Sequence, residues 1–243
     1  MANTTALQIA VLINSPPGNE FWHDVRQSYS DAFGIVAPRA RVDFYDPVIE
    51  GHFPKPHDYD LIVLSGGKAD ASSSELWVLR VLDFVRTTAR DFPKTKILGI
   101  CWGHQAIARS FGGEVAAVLS TGPIAAIQDI NLTEAGKKFF PFAASAGYYR
   151  AAEFHVREVA KPAPNFVHLA ENHECFLNKE NTILSFQAHP ELQNDLTKKL
   201  LLEEDDVYNG NSTMEQLQRE VRKLDQSMDG IELLRRVIQW VKE

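Results

Sequence analysis

Two short segments of this 243-residue sequence hold side chains able to do covalent chemistry. The first is Lys96-Ile97-Leu98-Gly99-Ile100-Cys101-Trp102-Gly103-His104-Gln105-Ala106-Ile107-Ala108, in which an apolar, strand-like run passes through a Gly-X-Cys-X-Gly turn into helical spacing. A cysteine at such a turn is the thiol counterpart of a nucleophile elbow. Glycines on both sides fit that reading, because a side chain held in a strained turn leaves no room for a neighbouring Cβ. The helix N-terminus adds partial positive charge near the sulfur and favours the thiolate. Backbone N–H groups of the turn, beginning with that of Trp102, can face a developing oxyanion. By itself the pattern serves a buried structural cysteine equally well.

A nucleophilic thiol needs a base, and the chain offers eight histidines. His189 is the best placed, in Leu184-Ser185-Phe186-Gln187-Ala188-His189-Pro190-Glu191. There a strand delivers the imidazole to its end, a proline stops the strand, and Glu191 stands two residues on, where it can hold the tautomer and stabilise the charged ring. Cysteine, histidine and glutamate in that order read as a catalytic set. His155 and His173 admit a second catalytic or metal site, but no cluster has ligand spacing and no metal is expected. His52 and His57 read as loop residues. Tyr148, Tyr149 and Arg150 offer an aromatic wall and a carboxylate-binding cation, or exposed loop packing. Ser65-Gly66-Gly67-Lys68 lacks the spacing of a phosphate loop, so nucleotide binding has no support. Cys175 reads as a passive, partly buried residue of a hairpin.

The elements that must carry these residues follow from hydrophobic periodicity. Apolar runs at 7–13, 41–45, 61–64 and 96–100 predict buried parallel strands. Residues 74–90 have helical spacing, with Leu76, Leu79, Leu82, Val85 and Thr88 or Ala89 on one face after a serine-rich start. This alternation predicts an α/β fold with a doubly wound, mostly parallel sheet and helices on both faces. Shorter strands at 114–119, 123–132, 166–170 and 182–187 predict a small mixed or antiparallel extension of the same sheet. Helices are expected at 195–203, 213–226 and 230–242. Glu203-Glu204-Asp205-Asp206 reads as a solvated face or linker, and the Asn-X-Ser/Thr matches at Asn3, Asn131 and Asn211 read as polar turns or helix starts.

Composition narrows the function classes. With 44% hydrophobic and 23% charged residues the chain has a globular composition. A formal charge of −7 has the wrong sign for a nucleic-acid or anionic-membrane binder, so neither partner is expected. The N-terminus has no signal-peptide pattern, and no apolar stretch reaches the roughly 20 residues of a membrane span. With only two cysteines, a reducing, cytoplasmic setting is expected. Length fits one domain over residues 1–243 and leaves no room for a synthetase.

Gly99-Ile100-Cys101-Trp102-Gly103-His104-Gln105 and His189-Pro190-Glu191 resemble the two signatures of class I glutamine amidotransferase domains, and Ser65-Gly66-Gly67 resembles the oxyanion loop that precedes the cysteine there. The resemblance runs through the tail, where Met228-Asp229-Gly230 leads into the last helix, and is nearest to single-domain fungal and plant amidotransferase-like proteins and γ-glutamyl peptidases. It implies a flavodoxin-like fold. It also implies Cys101 as nucleophile, His189 as base and acid, Glu191 as orienting acid, and the N–H groups of Gly67 and Trp102 as an oxyanion hole. Gly66, Gln105 and His155 would contact substrate. The implied reaction is hydrolysis of a γ-glutamyl amide through a thioester on Cys101. It needs no cofactor, and the protein would act either alone or as a glutaminase passing ammonia to a synthase partner. A binding or regulatory protein on the same scaffold, or acyl transfer to another acceptor, stays open, and no oligomeric state is implied. Two departures stand out. Lys68 follows the paired glycines where many members carry proline, and residues 120–126 (Ser-Thr-Gly-Pro-Ile-Ala-Ala) replace a Lys-Gly-Trp-type sequence.

Overall fold

The computed structural model describes residues 6–16, 20–118, 122–210 and 212–243. Seven strands form the main sheet: β1 (Gln8–Leu12), β2 (Arg41–Tyr45), β3 (Leu61–Leu64), β4 (Lys96–Ile100), β9 (Phe166–His168), β10 (Cys175–Asn178) and β11 (Ile183–Phe186), in the order β2-β1-β3-β4-β11-β10-β9. The first five in that order are mutually parallel, and β10 runs antiparallel to both its neighbours. Side chains alternate across the sheet, yet both faces are dry, which is why these strands read as continuous apolar runs. Ile9, Val11, Leu61, Val63, Leu98 and Ile100 point to one face, where Tyr29 and Phe33 of α1 (Glu20–Val36) and Leu233, Val237 and Trp240 of α8 (Gly230–Val241) cover them. Ala10, Leu12, Ile62, Leu64 and Ile97 point to the other, beneath α2 (Leu76–Asp91) and α3 (Trp102–Ser110). The fold is thus doubly wound and flavodoxin-like.

The expected extension does not all join this sheet. β5 (Glu114–Ala117) pairs with β8 (Arg157–Lys161), and β6 (Ile124–Asn131) pairs along eight residues with β7 (Tyr148–His155), as two separate antiparallel ladders. The 182–187 strand instead lies inside the main sheet, parallel to β4. With β3 and β11 on either side, β4 has no free edge, so the intervening strands satisfy their backbone groups with one another.

Two readings of helix faces change as well. In α2 the buried residues are Val78, Val81, Leu82, Val85 and Thr88, while Leu76 is 62% and Leu79 40% exposed. Leu82, Val85 and Thr88 of the expected stripe are buried, but Val78 and Val81 take the places expected for Leu76 and Leu79, because β-branched valines, which the sheet face selects for packing, counted for less than leucines. The acidic run does not form a uniformly solvated linker. It marks the break between α5 (Asn194–Glu203) and α6 (Asp205–Tyr208), and Glu204 forms an ion pair with Lys68 across the molecule. Thr133 caps α4 (Glu134–Phe139), and Thr213 closes a capping box with Gln216 on α7 (Met214–Lys223), so both threonines begin helices. Asn3, Asn211, Ser120 and Thr121 lie outside the described residues. Among the described residues no helix is long and apolar enough to cross a membrane.

Candidate active site

Cys101 stands on the turn between β4 and α3 with φ 50° and ψ −104°, a left-handed conformation that a non-glycine residue adopts only where its surroundings enforce it. The flanking glycines show how they do so. A Cβ on Gly103 would sit 2.3 Å from the carbonyl oxygen of Leu64 on β3, and one on Gly99 would sit 2.5 Å from the Ile107 side chain and 2.6 Å from the Gly103 oxygen. The turn is therefore pressed between its own helix and the neighbouring strand. The Cys101 amide donates to the Phe186 oxygen at 2.8 Å, fastening the elbow to β11.

β11 delivers His189 three residues beyond its end. Its backbone N–H donates to the Ala152 oxygen of β7 at 2.9 Å, and its Nδ1 lies 2.9 Å from Oε1 of Glu191. Nε2, the remaining ring nitrogen, has no hydrogen bond among the described residues, and Cys101 lines the same cavity. Burial opposes a charge on this imidazole, but the negative charges of Glu191 and Cys101 outweigh it and hold the His189 pKa well above its ordinary value. The ring therefore holds its proton readily. The helix that begins at Gly230 backs the turn, since a Cβ there would meet the Pro190 oxygen at 2.4 Å. That contact gives the Met228-Asp229-Gly230 tail its structural reason.

A cavity of about 210 Å³, of small-molecule scale, opens over the sulfur. Cys101, His189, Glu191, Gly66, Gly67, Gln105 and His155 all line it. Gly66 is an obligatory gap, because a Cβ there would stand 2.7 Å from Cε1 of His189, and one on Gly67 would stand 2.2 Å from the Asn14 oxygen. Gln105 is held by two contacts, donating from Nε2 to the Arg157 oxygen at 2.7 Å and to Gln187 Oε1 at 3.2 Å. His155 is held through its Nδ1. Its Nδ1 lies 2.9 Å from the Arg157 oxygen, which only accepts and so places the proton on that nitrogen, and its Nε2 lies 3.1 Å from Glu153. Trp102 is buried and stacks on Trp77 at 5.1 Å, so only its backbone concerns the cavity.

Several site features were not legible as such. Tyr29 of α1 is fully buried with its hydroxyl beside Glu191 and the Gly66 backbone, and desolvation followed by the Glu191 charge pushes its pKa well up. Helical spacing of Val25, Tyr29, Ala32, Phe33 and Val36 was the available signal for that helix. Behind the wall lie Glu153 and Glu174. Burial raises both carboxyls, and the charge of Glu153 raises Glu174 further. Phe154 accepts from the Cys101 thiol through its carbonyl at 3.7 Å.

Other candidates fall elsewhere. Tyr149 is wholly in the core, and Arg150 pairs with Asp129 at 2.6 Å on the β6–β7 ladder, away from the cavity. His104 stacks on Phe176 at 5.0 Å and bonds Ser185 at 2.9 Å, with burial taking its pKa down to about 3. His173 bonds the Val159 oxygen at 2.8 Å, and His52 lies 2.8 Å from Glu50 on the surface. Cys175 is completely rather than partly buried, and burial pushes its thiol pKa well up. Among the described residues no three His, Cys, Asp or Glu side chains cluster as a metal site.

Comparison with known proteins adds to this geometry. A family model described as glutamine amidotransferase class-I matches residues 39–207. A Penicillium rubens protein described as glutamine amidotransferase-like protein chyE is 54% identical over 244 residues, covering 100% of both chains. γ-Glutamyl peptidase 2 of Arabidopsis thaliana is 29% identical over 79% of this chain and 77% of its own. The crystal structure of a glutamine amidotransferase from Thermotoga maritima superposes with a TM-score of 0.71 over 98% of this chain and 100% of its own, at 16% identity, a likeness of fold.

Proposed function

Because the chain belongs to the class I glutamine amidotransferase family, we propose that it is a cysteine-dependent hydrolase of a γ-glutamyl amide bond, working through a γ-glutamyl thioester on Cys101. The observation that carries this reading is the convergence of Cys101, His189 and Glu191 at one cavity, with the 2.9 Å Nδ1–Oε1 contact leaving Nε2 to the sulfur. His189 takes the thiol proton and the thiolate attacks the amide carbon. As the C–S bond forms, the carbonyl electron pair moves to oxygen, which the N–H groups of Gly67 and Trp102 receive. As first residue of α3, Trp102 has no intrahelical acceptor for its N–H, and loss of one such donor costs about 3 kcal/mol in comparable sites. The tetrahedral adduct collapses with cleavage of the C–N bond, and the imidazolium protonates the departing nitrogen. Water, deprotonated by His189, then attacks the thioester, forming a C–O bond, breaking the C–S bond and returning the thiol with a free γ-carboxyl product. Gly66 and Gln105 line the path of the γ-glutamyl group. The buried free thiols Cys101 and Cys175 fit a reducing compartment such as the cytoplasm.

Mass spectrometry of wild type and Cys101→Ala with γ-glutamyl amides, glutamine included, tests the reading. The expected outcome is an acyl adduct on wild type alone and a loss of about 10⁴-fold or more in kcat/KM for the variant, with thermal unfolding unchanged. Undiminished hydrolysis by Cys101→Ala sinks the assignment. An electrophilic glutamine analogue is expected to label Cys101 well ahead of Cys175, and equal, slow labelling would favour a binding protein on this scaffold instead. A second reading, in which the site feeds ammonia to a synthase partner, draws on Val207, an apolar residue that lines the cavity and is exposed to solvent. Activity that rises only when such a partner is added would select it.

A further inference from the structure

The cavity has two unlike halves, and each is held together by its own contacts. On one side Gln105, His155 and the Arg157 backbone form a connected polar cluster, and the Arg157 side chain, 3.0 Å from Asp70, lies at its edge. On the other, Phe154, Leu192, Leu200 and Tyr208 pack into one apolar cluster, with Phe154 and Tyr208 in edge-to-face contact at 5.6 Å, and Val207 completes the lining. A general acid must face the leaving nitrogen, and that acid, His189, is three residues before Leu192, whose N–H donates to the His189 oxygen at 3.3 Å. An amine protonated by His189 would therefore depart along the apolar side, and the amino-acid head would remain on the polar side. α5 and α6 supply most of the apolar cover, and the Lys68–Glu204 ion pair ties that segment to the loop of Gly66 and Gly67.

We infer that the α5–α6 segment forms a subsite for the leaving group, and that the substrates it favours are γ-glutamyl amides of apolar primary amines rather than free glutamine, whose leaving group is ammonia. This inference rests on the hydrolase reading above. An apolar wall gives ammonia nothing to bind, whereas each methylene of an alkylamine that enters it adds about threefold to fourfold in binding. Because the gain is realised while His189 protonates the amine, it appears in kcat/KM.

The test is a homologous series: glutamine and the γ-glutamyl ethyl-, butyl- and hexylamides, with kcat/KM measured for each by release of glutamate. The expected result is a stepwise rise along the series of about threefold or more per methylene. In Val207→Ser the dependence on chain length flattens. Val207 is 41% exposed, so the replacement is compatible with folding, and Leu200→Ser, checked by thermal unfolding, provides the second variant. Glutamine turned over as well as or better than the alkylamides overturns the subsite and leaves the hydrolase reading in place. A rise with chain length that both variants retain assigns the preference elsewhere and also overturns it. If no member of the series acylates Cys101, the hydrolase reading itself falls and takes the subsite with it.

Discussion

Around residues 99–103 the site is built of backbone held at contact distance, whereas around 154–157 and 200–208 it is built of side chains brought together from stretches some fifty residues apart. In the first region every replacement of a glycine would meet a carbonyl oxygen or a packed side chain, and Cys101 is held between them at a positive φ. In the second, α6 is one turn long, and the segment is tied across the cavity by the Lys68–Glu204 pair, partly exposed at both ends. The difference teaches that the proposed nucleophile is fixed by steric necessity at its own turn, while the shape offered to a substrate depends on elements that could be exchanged without disturbing the elbow.

The largest effect expected from this contrast is at Glu191. Glu191→Gln keeps the shape of the turn but removes one of the charges that raise the His189 pKa, and kcat/KM is expected to fall about 10²-fold or more. The sign of the pH effect follows. A raised imidazole pKa favours the proton on His189, so removing Glu191 lowers that pKa and moves the alkaline limb of the kcat/KM profile toward lower pH. An unmoved limb would mean that the charge of His189 is set from the wall and not from its own turn.

Next in size is a pair of glycine replacements that separates the two kinds of construction. A Cβ on Gly66 meets the tip of the His189 ring, which can swing, whereas a Cβ on Gly103 meets the Leu64 backbone, which cannot. Gly66→Ala is expected to lower kcat/KM about 10-fold to 100-fold by misplacing the imidazole, with little change in Tm. Gly103→Ala is expected to cost about 1–3 kcal/mol or more of stability by overpacking. Equal losses of stability, measured by denaturant unfolding, would put Gly66 with the rigid region.

The smallest effect belongs to the buried carboxyls behind the wall. A carboxyl whose folded pKa is raised binds more protons folded than unfolded, so it subtracts stability as pH rises above the ordinary carboxylate range, with a slope of at most about 1.4 kcal/mol per pH unit for one proton. His189, with its raised pKa, acts in the same direction, since its stabilising charge is lost as pH rises through its folded value. Glu174→Gln isolates the wall's share, and its stability curve is expected to be flatter than that of wild type between about pH 5 and pH 8. Parallel curves would show that Glu153 and Glu174 do not share the cost of burial as their shifts indicate.

How much of this was readable in advance differs residue by residue. Cys101, His189 and Glu191 announce themselves because their chemistry depends on neighbours within three positions: the flanking glycines, the strand before, the proline between. Lys68 reads only as a departure from a pattern, and its partner Glu204, 136 residues away, sits in a run whose composition suggests nothing but solvent. Tyr149 and Arg150 looked like site residues because aromatic and cationic types gather at ligands. In the fold, the pleat of β7 sends Tyr149 into the core and Arg150 to Asp129. Leu76 and Leu79 misled for a related reason, since helix phase is set by the sheet beneath and not by residue type alone.

The sequence by itself determined the parallel core strands, the elbow and the family, and it supplied Cys101, His189 and Glu191 as the proposed reacting set, because each is encoded in short-range spacing that fixes backbone conformation or a hydrogen bond within a turn. Only the tertiary structure decided that β11 lies beside β4, that β7 holds His189 by its backbone, and that α5 and α6 close an apolar wall over the sulfur. Those are pairings between distant segments, chosen by which strand edges remain unsatisfied and which apolar faces remain uncovered once the local elements have formed.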